Sequence, residues 1–314
     1  MKKPSRPPAK GKAPKNNAAE EVVQVGRVVA NYGHNLTIET PAGETVHCYA
    51  RRLDLMPVVG DEVEWASGEG GRGRIIRVKP RRSELRRALG DREPRVLAAN
   101  IDQAVIMISP TPLPDRFLID RYLLSAYLDG LKPFLILNKT DLIPQDQVND
   151  FDVLLAEYES LGCATGRISC VGETGMAELE QQLANKVSIL VGQSGVGKSS
   201  LTLRLIPQAA VRIGELSAAT GTGRHTTTNA LLYHLPGGGD LVDSPGVRDL
   251  KLWPMPSGQV EIGFPEFAAL GQCRFNDCSH RHEPDCAIRN GLADNRITQR
   301  RYQSYLQLYD LLCT

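Results

Sequence analysis

Residues 22–79 alternate short runs of apolar and polar positions with turn residues such as those at 41–43 and 67–71. The runs have the short period that is typical of half-buried β-strands. They span Val22–Val29, Leu36–Glu39, Val46–Ala50, Asp61–Trp65 and Gly73–Val78. Five short strands at this spacing predict a small β-barrel over residues 21–82, for which the OB-fold is the leading candidate.

After Asn100 the pattern changes to apolar strands that alternate with amphipathic helices. The predicted strands are Gln103–Ile108, Phe134–Leu137, Gly166–Ser169 and Lys186–Val191, and the predicted helices are Arg116–Leu128, Val148–Leu161, Met176–Leu183 and Ser200–Leu205. This order predicts an α/β domain over residues 95–256, with a mostly parallel sheet and helices on both faces. Ligands bind at the carboxyl ends of the strands in such sheets.

The rest of the chain falls into two further regions. Residues 257–314 combine a cysteine-rich segment with an amphipathic pattern over 293–312, which predicts a small, largely helical domain. Residues 1–20 form a basic tail, with six Lys or Arg side chains and no acid before Ala19, and we expect this tail to be disordered. A chain of 314 residues with 41% hydrophobic content accommodates two or three such domains.

Composition also restricts the compartment. No apolar run approaches the roughly 18 residues of a membrane span, and no signal-peptide core follows the first lysines. Seven cysteines, four of them scattered, suit a reducing compartment better than a disulfide framework. We therefore expect a cytoplasmic protein without membrane contact, and a monomer, because no heptad seam is present.

The segment Gly192–Ser199 fits G-x-x-x-x-G-K-[ST] between a predicted strand and a predicted helix, which is the context that this motif requires. Backbone N–H groups at a helix N-terminus would surround the phosphates of a nucleotide. Lys198 is the candidate for the β- and γ-phosphates, and Ser199 for Mg²⁺. The residues expected to bind nucleotide here are Gly192, Gln193, Ser194, Gly195, Val196, Gly197, Lys198, Ser199 and Ser200.

A second segment, Asn138-Lys139-Thr140-Asp141, predicts the choice of base. The Asp141 carboxylate can accept hydrogen bonds from N1–H and the 2-amino group of guanine, whereas adenine offers neither donor. Taken alone, the tetrapeptide is also compatible with a capped turn before a helix. Ser169 and Cys170 follow the next predicted strand, where GTPases place a Ser-Ala loop against the base, and Cys170 replaces the alanine.

Asp243-Ser244-Pro245-Gly246 follows an apolar stretch and matches the D-x-x-G element of GTPases. In that element the aspartate holds Mg²⁺ and the glycine N–H senses the γ-phosphate, so Asp243 and Gly246 are the candidates. The base-reading segment comes before the phosphate loop, which reverses the usual order of a GTPase. A nucleotide pocket needs groups that converge in space, so joining the chain ends elsewhere can preserve it. The sequence therefore predicts a circularly permuted GTPase.

The C-terminal region contains a candidate metal site with the spacing Cys273-x4-Cys278-x-His280-x5-Cys286. Three thiolates and one imidazole complete a tetrahedral zinc site and leave no open position for catalysis. We expect one structural Zn²⁺ that stabilises a domain too small to fold alone. On the spacing alone, His282 remains an alternative to His280.

Between Arg72 and Arg95 there are ten basic residues and three acids. Such density is typical of a surface that binds a phosphate backbone, and a salt-bridged linker is the alternative. The candidate RNA-binding residues are Arg74, Arg77, Arg81, Arg82, Arg86 and Arg87.

The Thr-rich run Gly221–Thr228 lies between the phosphate loop and D-x-x-G, as a first switch segment should. With this run, the permuted order and the OB-like start, the chain resembles the bacterial small-subunit-dependent ribosomal GTPase family (RsgA, also called YjeQ) over about residues 21–312. The resemblance implies an OB domain, a permuted GTPase domain and a C-terminal zinc domain that uses all four of the Cys and His positions above. It also implies a role in late maturation of the small ribosomal subunit through binding of ribosomal RNA.

The residue after D-x-x-G is Val247, whereas many GTPases have a glutamine there that orients the attacking water. Slow intrinsic turnover, stimulated by the small subunit, is therefore expected. The resemblance points to His225 as a catalytic candidate, with a structural or RNA-contacting role as the alternative. One of Thr226, Thr227 and Thr228 would complete the Mg²⁺ shell, and the sequence does not say which.

Two other classes of protein compete with this interpretation. A metabolic P-loop enzyme would leave the base-reading segment, the basic run and the Cys/His cluster without a purpose. An RNA-binding scaffold, with a structural nucleotide and incidental hydrolysis, remains open because of Val247.

Overall fold

The computed structural model describes residues 22–33, 35–51, 53–89, 92–207, 230–243 and 252–313. Several predicted features lie outside these ranges: the basic tail, the Thr-rich run with His225, Thr226, Thr227 and Thr228, and Gly246 and Val247 of the second switch element.

The N-terminal part is a five-stranded barrel, as predicted. Its strands are β1 (Gln24–Tyr32), β2 (Asn35–Glu39), β3 (Thr45–Tyr49), β4 (Glu62–Ser67) and β5 (Gly73–Val78). Strand β3 pairs with β5 in parallel, all other neighbours are antiparallel, and β1 closes the barrel by pairing with both β2 and β4. The inward positions, such as Val28, Ile38 and Trp65, are buried. This closure order is that of the OB-fold.

A β-hairpin that the sequence pattern did not predict follows the barrel. It consists of β6 (Glu84–Leu89) and β7 (Arg92–Ala99), which form a two-stranded sheet, and Ala98 of β7 makes a parallel bridge to Val59 of the barrel region. Leu85, Ala88 and Ala98 of this hairpin are buried. The described part of the basic run after β5 is therefore largely β-structure with buried apolar side chains, not an extended linker.

The second sheet contains six strands: β8 (Gln103–Ile108), β9 (Lys132–Leu137), β10 (Ala164–Arg167), β11 (Val187–Gly192), β12 (Ala230–His234) and β13 (Asp240–Asp243). Their order is β10-β9-β8-β11-β13-β12, and all neighbours are parallel except β12 and β13. The predicted mostly parallel sheet is confirmed.

In the described part of the chain, four helices cover this sheet: α1 (Arg116–Leu128), α2 (Val148–Ser160), α3 (Met176–Leu183) and α4 (Lys198–Leu205). Every residue of β8 is buried, and its successive side chains enter different cores. Ala104, Ile106 and Ile108 pack with residues of α1 and α2. Val105 and Met107 pack with residues of α3 and α4. A strand covered on both faces has the continuous apolar sequence seen here.

The barrel and the second sheet are hydrogen-bonded to each other. Strand β1 pairs with β12 through Ala30 with Leu231 and Asn31 with Ala230, so the two sheets form one of eleven strands. The edge strand of the α/β sheet is therefore covered by the barrel.

The C-terminal region is largely helical, as predicted, with helices Ser257–Val260, Ala287–Ala293 and Gln299–Leu312. Its apolar core includes Phe264, Phe267 and Tyr305, and it extends to Leu124 of α1. A Cβ on Gly263 would lie 2.8 Å from Cβ of Leu124, so the glycine permits this close approach. Within the described ranges, no helix has the length and apolar character needed to cross a membrane.

Candidate functional site

The phosphate loop connects the carboxyl end of β11 to the first turn of α4. Gly192, Gly195 and Gly197 have φ angles of 139°, 86° and 102°, which L side chains rarely adopt. A Cβ on Gly192 would lie 2.4 Å from the carbonyl oxygen of Met107 on β8. Lys198 Nζ donates to the carbonyl oxygens of Gly192 (2.6 Å) and Gln193 (2.7 Å). The loop is thus a close-packed turn, and the Lys198 ammonium is hydrogen-bonded to its first residues. A cation beside such a turn suits polyphosphate binding.

The predicted base-reading segment packs directly against this loop. Asn138 is buried, and its Nδ2 donates to the carbonyl oxygen of Val196 at 2.9 Å. Lys139 Nζ donates to the carbonyl oxygen of Gly195 at 2.6 Å. A Cβ on Gly197 would lie 2.3 Å from Asn138 Nδ2, so only glycine fits there without displacement. The two motifs, far apart in the chain, form one pocket at the carboxyl ends of β9 and β11.

The loop after β10 completes the base side of the pocket. Ser169 Oγ donates to Asp141 Oδ1 at 2.5 Å and accepts from the backbone N–H of Gly172. Cys170 Sγ donates to Asn138 Oδ1 at 3.3 Å. Burial raises the pKa of the Cys170 thiol, which therefore keeps its proton and can act as this donor. The structure thus brings Ser169 to Asp141 and Cys170 to Asn138.

The candidate magnesium residues lie on the neighbouring elements. Ser199 is exposed in the first turn of α4, and Asp243 is the last residue of β13. Strand β13 runs parallel to β11, so both Asp243 and the phosphate loop follow the carboxyl ends of adjacent strands. Of the D-x-x-G element, Asp243 is the one residue within the described ranges.

The four predicted zinc ligands come together in the C-terminal region. Their donor atoms lie within 4.8 Å of one another, and Cys278, His280 and Cys286 are buried. His280 Nδ1 is 3.5 Å from Cys273 Sγ and 3.4 Å from Cys286 Sγ, and the two Sγ atoms are 3.9 Å apart. Neighbouring donors in a tetrahedral zinc site are separated by about 3.5 to 3.8 Å. The cluster therefore fits one Zn²⁺ held by three Cys and one His.

The surroundings of the cluster favour the same ligand set. His280 Nε2 lies 3.1 Å from Glu261 Oε1, which leaves Nδ1 to face the thiols. Burial would raise the pKa of the Cys286 thiol, but hydrogen bonds from Arg289 N–H and from His280 outweigh burial and lower it toward the thiolate form. His282 is exposed, whereas the ring of His280 lies in the cluster with the three thiols, so the structure selects His280.

The arginines predicted to bind RNA are largely engaged within the protein. Arg81 is 4% exposed and pairs with the fully buried Asp61 and with Glu84, so its prediction as an RNA contact is corrected to a structural role between barrel and hairpin. Four of the six arginines form ion pairs: Arg77 with Glu64, Arg81 with Asp61, Arg82 with Asp102 and Arg86 with Asp129. Arg86 also lies over the ring of Trp253. Arg74 and Arg87 are half-buried and also interact within the protein.

Together, the sheet order, the interlocked phosphate and base-reading motifs, and their reversed order along the chain define a circularly permuted P-loop GTPase. A family model described as RsgA GTPase matches residues 78–253. Two relatives named small ribosomal subunit biogenesis GTPase RsgA, from Pseudomonas aeruginosa PAO1 and Pseudomonas fluorescens SBW25, are each 44% identical over 90% of this chain and 84% of their own length. The chain belongs to the RsgA GTPase family and is a hydrolase that acts on GTP.

Solved structures agree with this assignment. YjeQ from Thermotoga maritima superposes with a TM-score of 0.76 at 29% identity, over 93% of this chain and 99% of that one. YloQ, described as a circularly permuted GTPase, gives 0.72 at 25% identity over 95% and 97%. Members of this family use GTP, GDP and Mg²⁺, and the pocket described above has the residues for them.

Proposed function

We propose that the chain is a GTP-dependent switch in late maturation of the small (30S) ribosomal subunit. The observation that carries this proposal is the hydrogen bond from Asn138 to Val196, which joins the guanine reader to the phosphate loop in a chain of this family. The relatives named for small-subunit biogenesis support the choice of partner. A nucleotide bound only for structural support would not require a base-reading segment that is hydrogen-bonded to the phosphate loop.

We propose the following nucleotide contacts, which rest on the motifs and on the packing of Asn138 and Lys139 against the phosphate loop. Gly192–Ser199 and Ser200 bind the phosphates with Lys198 as the cation, and Asn138, Lys139 and Asp141 bind guanine with Ser169 and Cys170 behind them. Mg²⁺ would be held by Ser199 and Asp243, together with one of Thr226, Thr227 and Thr228. When bound, it would neutralise charge at the phosphates. Gly246 senses the γ-phosphate.

For hydrolysis we propose that His225 orients the attacking water, because Val247 has no polar atom for this task. Replacing His225 with Ala should then reduce stimulated turnover and leave GTP binding unchanged. Loss of GTP affinity in that variant would assign His225 to nucleotide binding instead.

Binding of ribosomal RNA is proposed for the barrel and the zinc-binding region, in a monomer that works in the cytoplasm. The domain limits proposed are 21–82, 95–256 and 257–314, after a basic tail of residues 1–20. Apart from Arg81, the predicted arginines remain candidates for RNA contact, and the side chains of Arg77 and Arg82 are 67% and 63% exposed. The full set is Arg74, Arg77, Arg82, Arg86 and Arg87. Arg51, which is exposed and lies over the Tyr49 ring, adds a cation beside an aromatic platform on the barrel.

The test is hydrolysis of GTP with and without purified small subunits, with ATP, large subunits and free ribosomal RNA as controls. We expect stimulation by at least about tenfold that is specific to GTP and to small subunits. Lys198→Ala should abolish this turnover. Lys186→Ala, which removes a lysine whose Nζ donates to Gln182 O outside the loop, should not. Slow, unstimulated turnover would favour the RNA-binding scaffold.

A further inference from the structure

His234 lies at the junction between the barrel and the α/β sheet. It is the last residue of β12, and its Nδ1 is 2.6 Å from Oδ1 of Asp240 on β13. On the other side of the ring, Nε2 is 2.9 Å from both carboxylate oxygens of Glu39 on β2 of the barrel. One imidazole therefore bridges two carboxylates that belong to different parts of the molecule.

The bridging geometry requires a particular protonation state. A neutral imidazole carries one N–H and can donate to only one of the two carboxylates, and its other nitrogen presents a lone pair to the second. Only the imidazolium donates from both nitrogens. The contacts to Glu39 and Asp240 can thus both be hydrogen bonds only when the ring is charged.

The neighbouring charges favour that state. Arg27 on β1 pairs with Asp240 at 2.5 Å, and Lys79 after β5 pairs with Glu62 of β4 at 3.4 Å along the same groove. The ring thus contacts two carboxylates, one of which is shared with Arg27, while Glu62 and Lys79 line the same groove as a separate ion pair. Lys186, which precedes β11, directs its Nζ to Gln182. Burial opposes protonation of the ring, but the two carboxylates outweigh it and raise the pKa of His234 above its usual value.

This junction sits on the strands that connect the two switch segments. Strand β12 begins at Ala230, directly after the interval that holds the Thr-rich run, and β13 ends at Asp243, the first residue of D-x-x-G. Among the residues that the structure describes, the backbone pairing of β1 with β12 joins Ala30 to Leu231 and Asn31 to Ala230, at the start of β12. Side-chain contacts at the far end of β12 are therefore well placed to fix the hairpin against the barrel.

We propose that His234, Glu39, Asp240 and Arg27 form a protonation-dependent clasp that holds the barrel to the β12–β13 hairpin. His234 is a positioning residue in this proposal, because it acts on the strands between the switches and not on the nucleotide. Since the folded state raises the affinity of the ring for a proton, the clasp is fully closed below the ordinary pKa of histidine, about 6.5. It opens as the pH rises through the raised value.

The clasp goes beyond the proposed ribosomal function and can be tested without a ribosome. Hydrogen exchange of β12 amides in the full chain is measured at about pH 6 and about pH 8.5, each corrected for intrinsic exchange. We expect the protection of β12 to fall by at least about twofold at the higher pH, because the neutral ring loses one of its two hydrogen bonds across the junction. His234→Gln, which cannot titrate, should give low protection that does not change with pH.

Two further variants make the test specific. His47→Gln is the matched control, because His47 contacts Thr37 within the barrel, and it should behave like the wild type. Glu39→Gln removes one carboxylate from the ring and should move the transition to lower pH. The proposal is overturned if β12 protection in the wild type is independent of pH, or if His234→Gln keeps the wild-type dependence.

Discussion

Replacing Asp120 with Asn should loosen the attachment of the C-terminal region to the α/β domain. Asp120 lies on α1 with no exposed surface, and it accepts from Arg300 and Arg301 of the last helix at 2.7 Å each. Tyr158 of α2 also donates to it at 3.0 Å. The substitution leaves the shape of the side chain almost unchanged and removes the charge that both arginines share.

The size of the effect follows from what each arginine retains. Breaking a buried ion pair by removing one partner costs about 3 to 5 kcal/mol, because the remaining charge is left uncompensated. Arg301 keeps two contacts to Glu266, at 2.6 and 3.0 Å, and Arg300 keeps Glu157. We therefore expect a loss near the lower limit, about 3 kcal/mol in the free energy that holds the helix in place.

Hydrogen exchange of the helix Gln299–Leu312 in zinc-saturated protein measures this loss directly. A change of about 3 kcal/mol corresponds to exchange that is faster by roughly a hundredfold. Asp310→Asn is the control, since Asp310 lies on the same helix, is 66% exposed and forms a surface ion pair with Arg281. It should cost less than about 1 kcal/mol. If Asp120→Asn has no more effect than this control, the ion network does not carry the attachment.

Three further changes test the nucleotide and metal sites. Gly197→Ala places a methyl group against Asn138 Nδ2 and should weaken GTP binding at least about tenfold in a fluorescence titration, whereas Gly237→Ala, with open space around it, should not. Asp141→Asn should reduce the preference for GTP over ATP by at least about a hundredfold, measured by competition. Removing Zn²⁺ with a chelator should expose the apolar core around Phe264, which increased binding of a hydrophobic dye would detect. GTP binding should persist. Unchanged dye binding would contradict a structural metal.

Local patterns predict those parts of the fold in which neighbouring positions in the sequence determine the structure. The alternation in the barrel strands reflects one buried face, and the unbroken apolar run of β8 reflects two. The phosphate loop is equally local, because its three positive φ angles need glycine at fixed spacing. The zinc ligands also fall within fourteen residues, so their spacing alone indicated a metal site.

The hairpin β6–β7 and strand β12 were not predicted, because distant parts of the chain determine their roles. Arg86 looks like an RNA contact in the sequence, but its guanidinium binds Asp129, 43 residues away, and lies over Trp253. Arg81 likewise binds Asp61, 20 residues away. A count of basic residues cannot reveal such partners, so internal ion pairs resembled a surface for phosphate.

Permutation leaves the nucleotide site intact because its contacts join strand ends that are neighbours in space. Asn138 reaches Val196, and Gly192 approaches Met107, across the strands β9, β8 and β11, whose order in the sheet does not depend on where the chain begins. The order of the segments does change which flanking elements meet the sheet. Strand β1 pairs with the outer edge of β12. The C-terminal region, which follows β13 in the chain, is anchored to α1 through Asp120. The β12–β13 hairpin is thus tied to the barrel on one side, and along the chain it precedes the C-terminal region that Asp120 anchors to α1.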